Sequence, residues 1–80
     1  MKILFYGRLA EAIAPELEWD RPVNLSVAEL RRQLGNAYRD VADTLASRRV
    51  LVCVSGSKGP DDFVVGPDDC VEFLSPVSGG

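Results

Sequence analysis

Histidine is absent from the 80 residues. With it go the commonest general base, the commonest metal ligand and any serine–histidine triad. Cysteine is scarce: Cys53 and Cys70 are not spaced as a CxxC pair, and two thiols cannot complete a structural zinc site. Each lies in an apolar run, where a free cysteine behaves as a small hydrophobe, buried or at an interface. No apolar run approaches the roughly 20 residues of a membrane span, and no basic-then-apolar leader opens the chain. Basic charge is in deficit as well. The formal net charge of −3 disfavours nucleic acid as a partner, because phosphate backbones are held by lysine and arginine. These absences are read as those of a soluble, cytoplasmic domain with no metal and no membrane span.

What remains is ordinary globular composition, 46% hydrophobic and 26% charged, in a length that makes one domain near the lower limit for a self-sufficient core. Charge is unevenly placed. Residues 58–80 hold Asp61, Asp62, Asp68, Asp69 and Glu72 against the single base Lys58. Either these are solvated turn aspartates, or they prepare this end of the chain for a basic docking surface.

Periodicity divides the chain into strands and helices. Lys2 to Gly7 reads as a strand with apolar residues on both faces. Leu9 to Ala14 is helix-prone and ends at Pro15. Leu17 to Leu25 predicts a second strand, bent or bulged at Pro22. Ser26 followed by Glu29 has the pattern of a reciprocal helix cap. Val27, Leu30 and Leu34 then recur at helical spacing, with Arg31, Arg32 and Gln33 toward water and Gly35-Asn36 as the stop. A shorter helix is expected over Tyr38 to Ala46. Val50 to Ser55 is a strand, 56–60 a turn, Phe63 to Val65 a short strand, 66–69 a turn, and Cys70 to Leu74 the last strand.

That order predicts a hairpin, a crossover helix and further strands, hence an α+β fold: a mixed sheet of four to five strands with one main helix on one face. Parity places Ile3, Phe5, Val52, Val54, Val71 and Phe73 beneath Val27, Leu30 and Leu34. It leaves Leu4, Tyr6, Leu51, Cys53 and Leu74 on the outer face, too much apolar surface to stand in water without a partner. Two readings compete there: a docking face beside the C-terminal segment, or a face lost to a strand bulge or covered by the 38–46 helix.

The last strand leads into Ser75-Pro-Val-Ser-Gly-Gly80. Gly79 and Gly80 have no side chains, so they can thread a narrow channel and take backbone angles closed to other residues. The competing reading is a frayed or appended end.

The segment Pro67-Asp-Asp-Cys-Val-Glu-Phe-Leu-Ser-Pro-Val-Ser-Gly-Gly80 resembles the ending of the small, sulfur-carrying subunit of molybdopterin synthase, a ubiquitin-like β-grasp family. The opening Ile3-Leu-Phe-Tyr-Gly-Arg-Leu-Ala-Glu11 is similar to that family's first strand and the turn after it. Two positions depart from its pattern: Ser75 stands where a proline is usual, and Asp68 where a turn glycine is common. The resemblance implies a β-grasp domain over 1–75 and a flexible tail over 76–80, and leaves open what Ser75 in place of the proline does to that tail. It implies that Gly80, with Gly79, is the reacting end, adenylated by an ATP-using, ubiquitin-activating-like enzyme and converted to a C-terminal thiocarboxylate. It further implies a large synthase subunit as partner in a 2:2 heterotetramer, met through Leu4, Tyr6, Leu51, Cys53, Leu74, Pro76, Val77 and Ser78. The chain would then be the sulfur-donating subunit of a sulfurtransferase, without catalysis of its own and with no cofactor bound directly. Related carriers for thiazole, cysteine or tRNA thiolation, a ubiquitin-like protein modifier, and a plain binding module are the alternatives.

Overall fold

The computed structural model describes residues 1–20 and 24–75. Strand β1 (Lys2–Phe5) is followed by a single helical turn, α1 (Arg8–Ala12), and by β2 (Glu16–Glu18), which returns antiparallel to β1 with Ile3 opposite Leu17. Strand β3 (Leu25–Ser26) leads straight into the main helix α2 (Val27–Ala37). A 3₁₀ turn (Arg39–Val41) and α3 (Ala42–Ala46) come next, then β4 (Leu51–Val54), β5 (Ser57–Lys58), β6 (Val64–Val65) and β7 (Cys70–Leu74). The main sheet runs β2-β1-β7-β4-β5, while β3 and β6 form a separate two-stranded ladder.

The centre of the sheet is the parallel pair β1 and β7, aligned Ile3 to Val71 and Phe5 to Phe73. On the other side of β7, Val52 lies opposite Phe73 and Val54 opposite Val71. Because paired residues share a face, these six side chains form one apolar floor, and all are buried. Val27, Leu30 and Leu34 of α2 close over it, fully buried as their helical spacing predicts. The Phe5 and Phe73 rings pack at 5.5 Å between centroids, within the range where aromatic pairs attract. Each fully buried Phe, Leu or Ile here contributes roughly 1.5–3 kcal/mol.

Several sequence expectations are corrected. The second predicted strand is two: β2 stays in the main sheet, whereas Leu25 leaves it to pair with Val65. The expected bend at Pro22 lies outside the described residues. Helix α2 does not stop at Gly35-Asn36 but runs to Ala37. Gly35 is buried there because α3 crosses closely, and a Cβ would meet the Ala42 Cβ at 3.4 Å. Half of the predicted reciprocal cap forms. Ser26 Oγ accepts from the Glu29 amide at 3.1 Å, but the Glu29 carboxylate turns to Arg32 instead. The stretch 56–60 is not a plain turn: Ser57-Lys58 pairs with Val54 and Cys53. The two-residue connection Ser55-Gly56 takes φ of 48° and 87°, as tight hairpins need for their twist. Ser55 is held in that costly conformation by its hydroxyl, which donates to Asp69 Oδ1 at 2.9 Å. Asp69 also accepts from the Gly66 amide at 2.7 Å, and these two bonds, the amide first, pull its carboxyl below the usual range. One charge of the acidic end is thus spent inside a turn.

The largest correction concerns Arg31, expected in water. Its side chain is only 13% exposed. Nη1 donates to the carbonyls of Leu45 (2.7 Å) and Ser47 (3.0 Å), and Nη2 to that of Val50 (2.6 Å). Nε makes no hydrogen bond and faces Asp61 Oδ1 at 3.5 Å, while the guanidinium stands 6.0 Å over the Phe73 ring. Burial lowers the Arg31 pKa and Asp61 opposes that shift. One side chain therefore ties α2 to the end of α3 and to the entry into β4, bonding the Leu45 and Val50 carbonyls and adding a second donor to that of Ser47, which also accepts from the Val50 amide at 3.2 Å.

Arg31→Ala is expected to destabilise the fold by about 3 kcal/mol, through lost charge-assisted bonds and unsatisfied carbonyls. For a chain of this size that lowers Tm by roughly 12–24 °C. Arg31→Lys should recover little of it, since one ammonium cannot span the fork. Thermal and urea denaturation of the two variants measures both.

Candidate functional site

The parallel strands β1 and β7 end at the same edge of the sheet, so the residues just beyond each strand are brought together. Ser75, the first residue after β7, donates its hydroxyl to the Tyr6 carbonyl at 3.1 Å. Gly7 makes the approach possible. Its φ is +61°, and a Cβ there would stand 2.9 Å from Ser75 Oγ. Ser75 therefore fastens the root of the C-terminal segment to the first strand. Residues Pro76, Val77, Ser78, Gly79 and Gly80 lie outside the described residues.

The five outer-face residues expected from parity are brought onto one surface. Leu74 and Leu51 are directly opposite one another at the tail edge, with Tyr6 beyond β1 on the same side. Leu51 is 58% exposed and Tyr6 43%, while Leu4, Cys53 and Leu74 are partly buried. Helix α3 does not cover them, because Leu45 anchors it in the core on the α2 side. No bulge interrupts the register of β1, β7 and β4.

Two residues of this face, Cys70 and Glu72, are missed by sequence reasoning, and Glu72 is the charged one. The row beneath the tail edge runs Glu16, Leu4, Glu72, Cys53, Lys58 across all five strands, which puts Glu72 in the middle of the face. The signal is present: in Cys70-Val-Glu-Phe-Leu74 the alternation that sends Cys70 and Leu74 outward sends Glu72 with them. Tyr6 reaches back over the sheet and donates its hydroxyl to Glu72 Oε2 at 2.7 Å. This bond, with lesser contributions from desolvation and from the charges of Glu72 and Cys70, raises the Tyr6 pKa above that of a free phenol. Nearby, Lys2 and Glu16 form an exposed ion pair at 3.5 Å.

Other chemistry is sparse. Among the described residues no three His, Cys, Asp or Glu side chains group as metal ligands, and no helix is long and apolar enough to cross a membrane. Cys53 and Cys70 are free thiols on the outer parity. A shallow groove beside α2 and α3, lined by Arg31, Arg32, Asp43 and Asp61 among others, lies on the helix side, away from the tail root.

Residues 3–80 match the ThiS family. The chain belongs to it. Solved structures similar to this ThiS-family chain include SAMP1 of Haloferax volcanii, at 20% identity and a TM-score of 0.79, covering 99% of this chain and 97% of that one. A Pyrococcus furiosus protein described as a putative molybdopterin converting factor, subunit 1, matches at 20% identity and a TM-score of 0.77, covering 95% of each chain. Small archaeal modifier protein 1 of Methanosarcina acetivorans matches at 20% identity and a TM-score of 0.75, covering 99% of this chain and 94% of that one. No curated protein matches. At this identity the structural matches establish the fold alone, a ubiquitin-like β-grasp with a five-stranded mixed sheet.

If Glu72 holds the Tyr6 phenol in its neutral form, Glu72→Gln should move one tyrosine titration downward, toward the ordinary value near 10. By linkage, a group whose pKa is raised in the fold stabilises it below the unfolded pKa, and loses that contribution as pH rises through the folded value. Tyrosinate absorbance followed to high pH in wild type and Glu72→Gln checks this. Coincident curves would show that the bond does not form in solution.

Proposed function

We propose that this ThiS-family chain is the sulfur-carrying small subunit of molybdopterin synthase, acting in the cytoplasm. The observation that carries the reading is the segment Pro76-Val-Ser-Gly-Gly80, set directly after a β-grasp strand whose end is fastened at Ser75. The chemistry begins from a weak electrophile. A free carboxylate at Gly80 must be activated, and an ATP-using partner related to ubiquitin-activating enzymes supplies this by forming the acyl adenylate with release of pyrophosphate. Sulfur then displaces AMP to leave a C-terminal thiocarboxylate. That group is anionic near neutral pH and a stronger sulfur nucleophile than a thioacid, as thiolates are relative to thiols. The large synthase subunit, in a 2:2 assembly, contributes the cationic and acid–base groups that bind the pterin and use the delivered sulfur.

Physical features of the chain suit this division of labour. The tail spans at most roughly 17 Å, enough to enter a partner's pocket while the folded domain stays outside. Leu4, Tyr6, Leu51, Cys53 and Leu74 form the surface against which a partner rests while Pro76, Val77 and Ser78 pass into it. The absence of histidine is no handicap, because the partner performs the acid–base steps.

A second reading has an observation of its own: two of the similar structures are archaeal proteins named modifiers. A modifier would join Gly80 to lysines of other proteins. Carriers for thiazole, cysteine or tRNA thiolation use the same activated end and differ in the receiving partner.

On incubation with the adenylating enzyme, ATP and a sulfur source, wild type is expected to gain the mass of one oxygen-for-sulfur exchange. Gly80→Phe should fold normally and gain nothing; a Gly80→Phe protein that still acquired the thiocarboxylate mass would refute the mechanism. Copurification with a larger pterin-binding subunit supports the synthase reading, and a ladder of higher-mass conjugates the modifier.

A further inference from the structure

Glu72 is an unusual residue to find at the centre of an apolar docking face. Leu4 and Cys53 flank it in its row, and Leu51 and Leu74 stand between it and the tail edge. Its Oε2 is held by the Tyr6 hydroxyl at 2.7 Å, while Oε1 accepts no hydrogen bond among the described residues. The nearest cation in its row, Lys58, lies two strands away behind Cys53, about 10 Å at ordinary strand spacing. Lys2 is engaged with Glu16. The carboxylate is thus oriented, half satisfied, and surrounded by groups that exclude water once a partner covers them.

Charge decides what can cover it. A second copy packed face to face would bring Glu72 toward Glu72, and like charges brought together in a desolvated interface repel strongly. The chain's own segment 76–80 contains no lysine or arginine and cannot neutralise the carboxylate by folding back. A partner that docks here must bring its own cation, or leave a buried charge unpaired.

We infer that Glu72, positioned by Tyr6, is the specificity point of this face, and that it receives an arginine or lysine from an apolar surface of the adenylating partner. The inference rests on the carrier reading and on the outer face being the side that docks. Tyr6 leaves one carboxylate oxygen open for a charge-assisted bond at the middle of the contact, where such bonds are strongest. The apolar ring then confers affinity, and the acid selects among partners that offer similar apolar patches.

The test is ATP–pyrophosphate exchange by the adenylating enzyme of the same organism, followed against carrier concentration for wild type, Glu72→Gln, Glu72→Lys and Leu51→Asp, each first shown to melt as a folded protein. Glu72→Gln is expected to raise the half-saturating concentration roughly tenfold or more, to leave the saturating rate unchanged, and to flatten its dependence on salt. Glu72→Lys should weaken it further, and Leu51→Asp should weaken it without altering the salt dependence. If Leu51→Asp weakens exchange and Glu72→Gln does not, the acid-centred inference is wrong while the docking face stands. If neither variant weakens it, the face is not the docking side and the inference falls with it. If wild type supports no exchange, the carrier reading fails first. A wild-type dimer in sedimentation that Leu51→Asp dissociates would make a second copy the occupant and overturn the inference.

Discussion

Everything in this fold depends on β1 and β7 lying side by side and parallel. A parallel pair cannot be closed by a short turn, so the whole intervening chain serves as the crossover between them. Pairing strands 68 positions apart in register requires much loop-closure entropy to be overcome. The Phe5 and Phe73 rings, meeting on the buried side of that pair, offset it. Every other strand of the main sheet is placed by reference to these two: β2 on the free edge of β1, β4 on the free edge of β7.

The helix side and the outer side of the sheet then take different roles. Under the helix the sheet is closed by aliphatic packing and by Arg31, a cation whose work is to join segments that have no ladder between them. Replacing its contacts by apolar groups would remove the partner of the Leu45 and Val50 carbonyls and one of the two partners of the Ser47 carbonyl, which explains why a charged residue stands over the core despite the cost of drying it. Outside, the sheet has no second layer among the described residues, and the organised polar contact at its centre is Tyr6 with Glu72. The molecule is saturated on one side and unfinished on the other.

How far this can be read from residues alone differs by element. Alternation in β1, β4 and β7 and the 3.6-residue spacing in α2 assign the buried floor correctly, because each pattern is imposed by burial on one face. The helix after the first hairpin and the last strand, Cys70 to Leu74, are equally legible. Errors arise where tertiary contact overrides local preference. Gly35 looks like a helix stop but is a packing contact with Ala42. Leu25 carries a strand signal that says nothing about which sheet it joins. Arg31 at a polar helical position looks solvated until the 45–50 segment wraps over it. Ser75 looks like a lost proline, whereas its hydroxyl and the left-handed Gly7 beside it make a fastening that neither residue suggests separately. Glu72 is within reach of the same alternation that identifies its neighbours.

The parallel central pair also has a mechanical consequence. Tension between the N-terminal end of β1 and the C-terminal end of β7 acts at opposite ends of one ladder. Its hydrogen bonds are then loaded together in shear, instead of being opened one after another as in a hairpin pulled at its mouth. A pull on Ser75 against the start of β1 therefore loads the domain along its stiffest direction, without peeling the sheet.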